Sequence, residues 1–305
     1  MLFRSQPYPN RPVKVIIPWP PGQATDLAAR IVGEKLSQQL GQPFVMENKP
    51  GAGGAIGTEI VAKAAPDGYT LLAASSGPIS IMPNLQKIPY DPLKDLAPVS
   101  LVALAPFALV VPPNFPASNA KEFLALVRAN PGKYTFASSG TGATAHLFAE
   151  LFNSMAQLKA IHVPYKGSAP ALTDVMSGQI DLMFADLAVI QPHAASGKLR
   201  ALALCGSKRT AAAPSIPTIM ESGLKEYVIE PWFGVAGPAN VPREIVSRLN
   251  QLIGAGLKSV DVQQRLAGLG YEAIGGSAEQ FSATVKADIA VYAKIIKTAG
   301  IKADL

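Results

Sequence analysis

Glycine, serine and threonine gather at two places where a short apolar run gives way to an amphipathic one. The first is PWPPGQATD, Pro18 to Asp26, after the apolar run Val13 to Ile17; the second is SSGTGATAH, Ser138 to His146, after the β-like run Tyr134 to Ala137. Neither holds a Lys or Arg. Turns of this kind present backbone N–H groups and a helix N-terminus, an anion site made of dipoles rather than charges. Brought face to face, the two would grip a molecule with an acid group at each end. Thr25 reads as a helix N-cap, with Asp26 in the first turn complementing the dipole and water bridging it to an incoming anion. Ser138, Ser139, Thr141 and Thr144 offer more hydroxyls than one cap needs, which reads as ligand contact. As a catalytic base, His146 would need a positioned nucleophile and an orienting acid. No G-x-S-x-G elbow is present, so hydrolase chemistry is set aside.

Other strand ends carry candidates of the same kind. Tyr165, Lys166, Gly167 and Ser168 form a third strand-to-helix turn. Ser75, Ser76 and Asp186 occupy equivalent strand ends, while Trp19 and Trp232 stand where aromatics either wall a cleft or pack into a core. GTGATA, Gly140 to Ala145, matches the dinucleotide fingerprint G-x-G-x-x-G/A between a strand and a helix. The acid expected after the next strand is missing, because Tyr165 and Lys166 stand there. A Rossmann-type nicotinamide-dependent oxidoreductase is therefore kept only as the alternative.

The elements that must position these residues alternate. Strand signals at Val13–Ile17, Phe44–Glu47 and Thr70–Ala74 are separated by helices from about Thr25 to Leu40 and up to about Ala64, the rhythm of a parallel sheet. A long extended segment, Pro98 to Pro113, is interrupted by Pro106 and reads as a crossing between lobes. The alternation then restarts. Helices are expected at Ala120–Ala129, Thr144–Met155 and Ala169–Ser177, with strands at Tyr134–Ala137, Ala160–Pro164, Asp181–Ala185 and Leu199–Leu204. A second crossing runs from Tyr227 to Gly237. Helices at Pro242–Leu257 and Ala278–Ala299 close the chain, with a short strand at Tyr271–Ile274 between them. The pattern implies an α/β protein of two lobes. Residues 1–100 with 236–305 form a discontinuous first lobe and 101–235 the second, with hinges near 99–107 and 227–237. Ligands of open α/β sheets bind at the carboxyl ends of strands, where both turns would sit.

Composition narrows the classes. With 49% hydrophobic and only 16% charged residues, the chain reads as a compact folded protein without disordered tails. A net charge of +6 with scattered basic residues excludes a nucleic-acid footprint and suits handling of an anion. The single cysteine, Cys205, lies in an apolar run and rules out an internal disulfide or a Cys-based metal cluster. His162 and His193 have no metal-ligand spacing. No apolar stretch approaches the ~18 residues of a membrane span. The first ten residues lack the apolar core of a leader; taken alone they indicate the cytoplasm or a mature secreted chain.

Several long motifs in register resemble the Bug family, periplasmic solute-binding receptors of tripartite tricarboxylate transporters. They include YPNRPVKVIIPWPPGQATD from Tyr8, ENKPGAGGAIGTEIVAKAAPDGYTLL from Glu47 and PYDPLKDLAPVSLVA from Pro89. FASSGTGATAHLFAELF from Phe136, HVPYKGSAPALTDVMSGQIDLMFADL from His162 and WFGVAGPANVPREIV from Trp232 continue the likeness over nearly the whole chain. The resemblance implies a two-lobed type II periplasmic binding protein, a Venus flytrap with the two crossings as hinge strands. It implies a monomer without cofactor, metal or catalysis, which carries a small carboxylate to the membrane components of its transporter. Contacts carried over are Trp19, Pro21, Gly22 and Asp26 from one lobe, and Ser138, Ser139, Gly142, Thr144, His146, Tyr165 and Asp186 from the other. With Gln23, Thr25, Ser75 and Ser76 they complete the expected site. Trp19 replaces the family's usual Phe and Gln23 its frequent Gly, so bulkier groups shrink that end of the pocket or move its bridging waters. The resemblance also implies a periplasmic location, with a leader removed and Met1 added.

Overall fold

In the computed structural model, which describes residues 8–141 and 143–299, the chain builds two mixed sheets and passes between them twice. The first segment runs β1 (Val13–Ile17), α1 (Ala24–Leu40), β2 (Phe44–Asn48), α2 (Ala55–Ala62), β3 (Thr70–Ser75), α3 (Met82–Leu85) and β4 (Leu96–Leu104). The middle segment runs β5 (Phe107–Val111), α4 (Ala120–Ala129), β6 (Thr135–Ser138), α5 (Thr144–Ala156), β7 (Ile161–Pro164), α6 (Ser168–Ser177), β8 (Leu182–Asp186), α7 (Leu187–Ala195) and β9 (Arg200–Leu204). The last runs β10 (Trp232–Pro238), α8 (Arg243–Leu257), α9 (Val260–Gly268), β11 (Glu272–Ala273) and α10 (Ala278–Ala299).

The first sheet has the order β11-β4-β10-β3-β1-β2 and the second β7-β6-β8-β5-β9. In each, one strand crosses over from the other part of the chain and enters antiparallel. β10 pairs antiparallel with both β3 and β4, and β5 pairs antiparallel with both β8 and β9. The parallel trios β2-β1-β3 and β7-β6-β8 are the βαβ units read from the alternation. Pro106 separates β4 from β5, because a residue without an N–H cannot continue a ladder.

Local chemistry accounts for the element ends. α1 stops at Gly41, whose φ of 65° is left-handed and whose N–H bonds the Ser37 carbonyl. α4 starts at Asn119, whose side chain accepts from the Glu122 N–H at 2.9 Å, while the Glu122 carboxylate accepts from the Ser118 N–H at 2.8 Å. Three helical stretches escaped the sequence reading. α7 is an apolar LAVI run with Pro192 inside it, so it lacks a polar face to mark it. α9 is short, and the π-type turn Gly77–Ile81 leading into α3 is buried throughout. The expected cap at Thr25 is corrected. The N-cap of α1 is Gln23 without a side-chain bond, and Thr25 lies buried in the first turn.

Under the first sheet, α1 and α8 bury Ile31, Val32, Leu36, Leu249 and Ile253 against β1 and β4. The second core is aromatic, with Phe123, Phe136, Phe148, Phe152, Phe184 and Tyr227. Tyr292 and Ile296 of α10 join that second core, so the last helix touches both halves. Cys205 is fully buried there, and burial pushes its thiol well above the ordinary range, as befits an inert packing residue.

The first turn is held by Asp26. Its carboxylate, 2% exposed as a residue, accepts from the Gly22 N–H at 2.9 Å, from Asn48 Nδ2 at 2.9 Å and from Arg30 Nη2 at 2.8 Å. Burial pushes its pKa up, but the bonds from Arg30, Gly22 and Asn48 outweigh this and leave it below the ordinary value. A depressed carboxyl stabilises the fold above its unfolded pKa and loses that contribution as pH falls through the native value. We therefore expect Asp26→Asn to cost on the order of 1–3 kcal/mol near neutrality. That gap should close on acidification below about pH 4, as urea midpoints measured across pH would show. A second expectation concerns β10. A Cβ on Gly234 would lie 2.8 Å from the Ser100 carbonyl and 2.7 Å from the Phe281 ring. Gly234→Ala should destabilise by roughly 1–3 kcal/mol in the same urea measurement.

Candidate functional site

A pocket partly open to solvent lies between the carboxyl ends of the two sheets. Trp19, Gln23, Thr25, Ser75 and Ser76 line it from the first sheet's side, and Ser139, Thr144, Ser168, Phe184 and Asp186 from the second's. Its floor comes from the crossings, through Phe107, Pro231 and Phe233. The two passages are joined there, with the Ala105 N–H on the Pro231 carbonyl at 2.8 Å.

Three helices begin at this pocket without a side-chain cap. α1 starts after Gln23, α5 after Ala143 and α6 after Gly167, and none of these residues bonds the first turn through its side chain. The first N–H groups of a helix have no intrahelical partner, so these ends offer donors to whatever occupies the space. Hydroxyls add to them. The Trp19 indole N–H donates to Ser75 Oγ at 3.0 Å, which leaves the Ser75 proton free to point elsewhere. Among the described residues, none that lines the pocket is a Lys or Arg.

The two sides approach closely. A Cβ on Gly77 would lie 3.1 Å from Thr144 Oγ1, and one on Gly167 would lie 3.4 Å from Gln23 Nε2. Ala143, from the second half, is buried in the core that holds Trp19. Small residues here let opposite faces meet.

Other expected residues are placed differently. Ser138 is fully buried; its Oγ accepts from the Gly140 N–H at 3.2 Å and pairs with His162 Nε2 at 2.7 Å. The His162 ring stacks on His146 at 3.9 Å between centroids and on Phe136 at 4.8 Å. Burial, then the neighbouring His146, lowers His162 to about 3 and keeps it neutral. Ser138 and His146 thus form a layer behind the second turn and do not line the pocket. The Tyr165 hydroxyl donates to Asp174 Oδ2 at 2.6 Å, away from it, and Pro21 and Gly22 are exposed. Asp26 faces Arg30 and Asn48 instead. Gly142 lies outside the described residues, as do residues 1–7, on which most of the leader reading rested. Phe107, Phe184, Pro231 and Phe233 were missed, although the crossings named in the sequence had to pass the cleft floor. Ser168 was seen as part of a turn but not as lining. Tyr271, whose hydroxyl donates to Asp186 Oδ1 at 3.2 Å across the cleft, carried no signal.

Comparison with known proteins agrees with this architecture. The family model TctC, described as the tripartite tricarboxylate transporter family receptor, matches residues 28–301. Protein BugT of Bordetella pertussis is 38% identical over 300 residues, covering 97% of this chain and 91% of its own. Among solved structures, R. palustris Rpa4515 with adipate superposes at a TM-score of 0.92 with 36% identity, over 97% of this chain and 99% of that one. The periplasmic binding protein BugD gives 0.90 with 36% identity over the same shares. MatC from Rhodopseudomonas palustris, with bound malate, gives 0.88 with 30% identity, over 95% of this chain and all of that one. The two mixed sheets are therefore the lobes of a periplasmic binding protein fold, and the chain belongs to the TctC family of tripartite tricarboxylate transporter receptors.

Proposed function

We propose that this protein captures a small organic carboxylate between its lobes and delivers it to the membrane components of a tripartite tricarboxylate transporter, without catalysis. The observation that carries this reading is the convergence of the uncapped starts of α1, α5 and α6 on one pocket with no basic side chain. Dipoles on opposite lobes suit a ligand with an acid at each end, hence a dicarboxylate. The relatives bound to adipate and malate support the same class. A periplasmic location follows from the family.

In this reading the lobes are 1–100 with 236–305, and 101–235. They turn at the element ends where Ala105 meets Pro231, since hinges concentrate in a few terminal residues. Contacts come from Gln23, Thr25 and Ser75 on one side, and from Ser139, Thr144, Ser168 and Asp186 on the other. The protein acts as a monomer, each copy holding a complete cleft. The nicotinamide reading of Gly140–Ala145 draws no support from the relatives. That turn instead opens α5 at the pocket, and NADH titration followed by fluorescence would expose any cofactor binding.

A thermal-shift panel of matched mono- and dicarboxylates tests the proposal. Ligand at a hundredfold its Kd should stabilise the fold by about 2.7 kcal/mol, and diacids should do so at lower concentration than monoacids. No stabilisation by any acid would refute the receptor reading, and equal stabilisation by both classes would refute the two-ended grip. Thr144→Val keeps the shape but removes one donor, and should weaken the tightest acid by about tenfold. Gly77→Ala, which places a methyl group against Thr144 Oγ1, should weaken binding at least as much.

A further inference from the structure

Among the pocket-lining residues, one side chain can ionise: Asp186, at the end of β8 and the start of α7. It is 5% exposed, and its two oxygens are not equivalent. Oδ1 accepts from the Ala188 N–H at 2.9 Å and from the Tyr271 hydroxyl at 3.2 Å. Oδ2 is buried without a partner. The neighbours facing this carboxyl are few. α7 contributes the N–H groups of Ala188 and Val189, and the loop before β11 contributes the Tyr271 phenol. β5 brings Phe107 opposite in the ladder, and the far wall brings Trp19, Thr25 and Phe233. None carries a charge. Burial pushes the carboxyl up to about 7, with the Ala188 N–H, the Tyr271 hydroxyl and the Val189 N–H pulling partly back.

A carboxylate anion there would face a bound acid group with no cation between them. A protonated carboxyl would not, and its proton has one place to sit. Oδ1 is already taken by two donors, so the proton belongs on Oδ2. We propose that Asp186 meets its ligand as a neutral acid, donating the Oδ2 proton in a hydrogen bond to a ligand carboxylate, so that ligand and proton are captured together. This rests on the carboxylate-receptor reading and refines its ligand class. A diacid without an amino group is favoured over an amino diacid, whose ammonium would require Asp186 ionised. Tyr271 links the choice to closure, because it reaches Asp186 from the opposite lobe.

The consequence has a fixed sign. Once the pH exceeds the pKa of Asp186 in the empty protein, the proton must be taken up on binding, and affinity falls about tenfold per pH unit. The test is calorimetric titration of adipate and of L-malate from about pH 6 to pH 9, where both ligand carboxyls are ionised, in two buffers of different ionisation enthalpy. The wild type should show proton uptake rising toward one per ligand at the alkaline end, with affinity falling in step. Asp186→Asn, whose amide donates without titrating, should bind with affinity flat in pH and no uptake. Tyr271→Phe removes a donor that lowers the pKa, so the fall should begin at higher pH. Wild-type binding flat in pH, or a folded Asp186→Asn that no longer binds, overturns this proposal and leaves the receptor reading standing. Glutamate binding that exceeds adipate and strengthens with pH does the same. If the wild type binds neither acid at any pH, the carboxylate reading fails and this proposal with it.

Discussion

The molecule depends on two strands that belong to the wrong sheet by sequence. β10 follows the whole second lobe yet sits between β3 and β4, and β5 follows β4 yet sits between β8 and β9. Each enters antiparallel among otherwise parallel neighbours, so the chain passes between lobes in opposite directions at one place. There the passages share a hydrogen bond, Ala105 to Pro231, and their side chains Phe107 and Phe233 form the pocket floor. The carboxyl ends of the remaining strands then face each other across that floor. A cleft lined by strand ends and helix starts is the geometric result of the two insertions.

That geometry decides how charge is handled. A helix start reaches the cleft with its N–H groups forward, and its partial positive charge is fixed in direction. A carboxylate at such a start would cancel it. Asp26, in the first turn of α1, is kept from doing so by Arg30, Asn48 and the Gly22 N–H, which consume its oxygens inside the first lobe. Its negative charge is therefore neutralised away from the pocket, and the helix end stays available.

What the sequence revealed follows how local each cause is. Apolar alternation placed the strands of both parallel trios within a residue or two, and Pro106 marked the break between β4 and β5 because the missing N–H is a local fact. α7 was invisible because its signals, an apolar run and an internal proline, describe a buried loop equally well. The two hydroxyl-rich turns were legible as strand-to-helix junctions. Which hydroxyls face the pocket was not, since that depends on partners far along the chain. Ser138 turns inward because its Oγ pairs with His162 Nε2, and Ser75 is fixed by Trp19 across 56 positions. The Arg30–Asp26 pair, four residues apart on α1, could have been read from spacing; the Asn48 contact could not.

Burial acts on two titratable groups of the second lobe in opposite directions for the same reason. It disfavours charge, lowering His162 to about 3 and raising Asp186 to about 7. His162 behind the second turn is thereby held neutral, with its Nε2 paired to Ser138 Oγ and Ser138 Oγ accepting from the Gly140 N–H. Titrating His162 would require acidity that also protonates exposed carboxylates throughout the surface, so His162 itself is no selective switch near neutrality. Asp186 differs in kind because it lines the pocket, retains an unpartnered oxygen and touches the opposite lobe through Tyr271. Among the described residues that line this cleft of dipoles and hydroxyls, Asp186 is thus the one ionisable side chain, and it stands at the contact between the lobes.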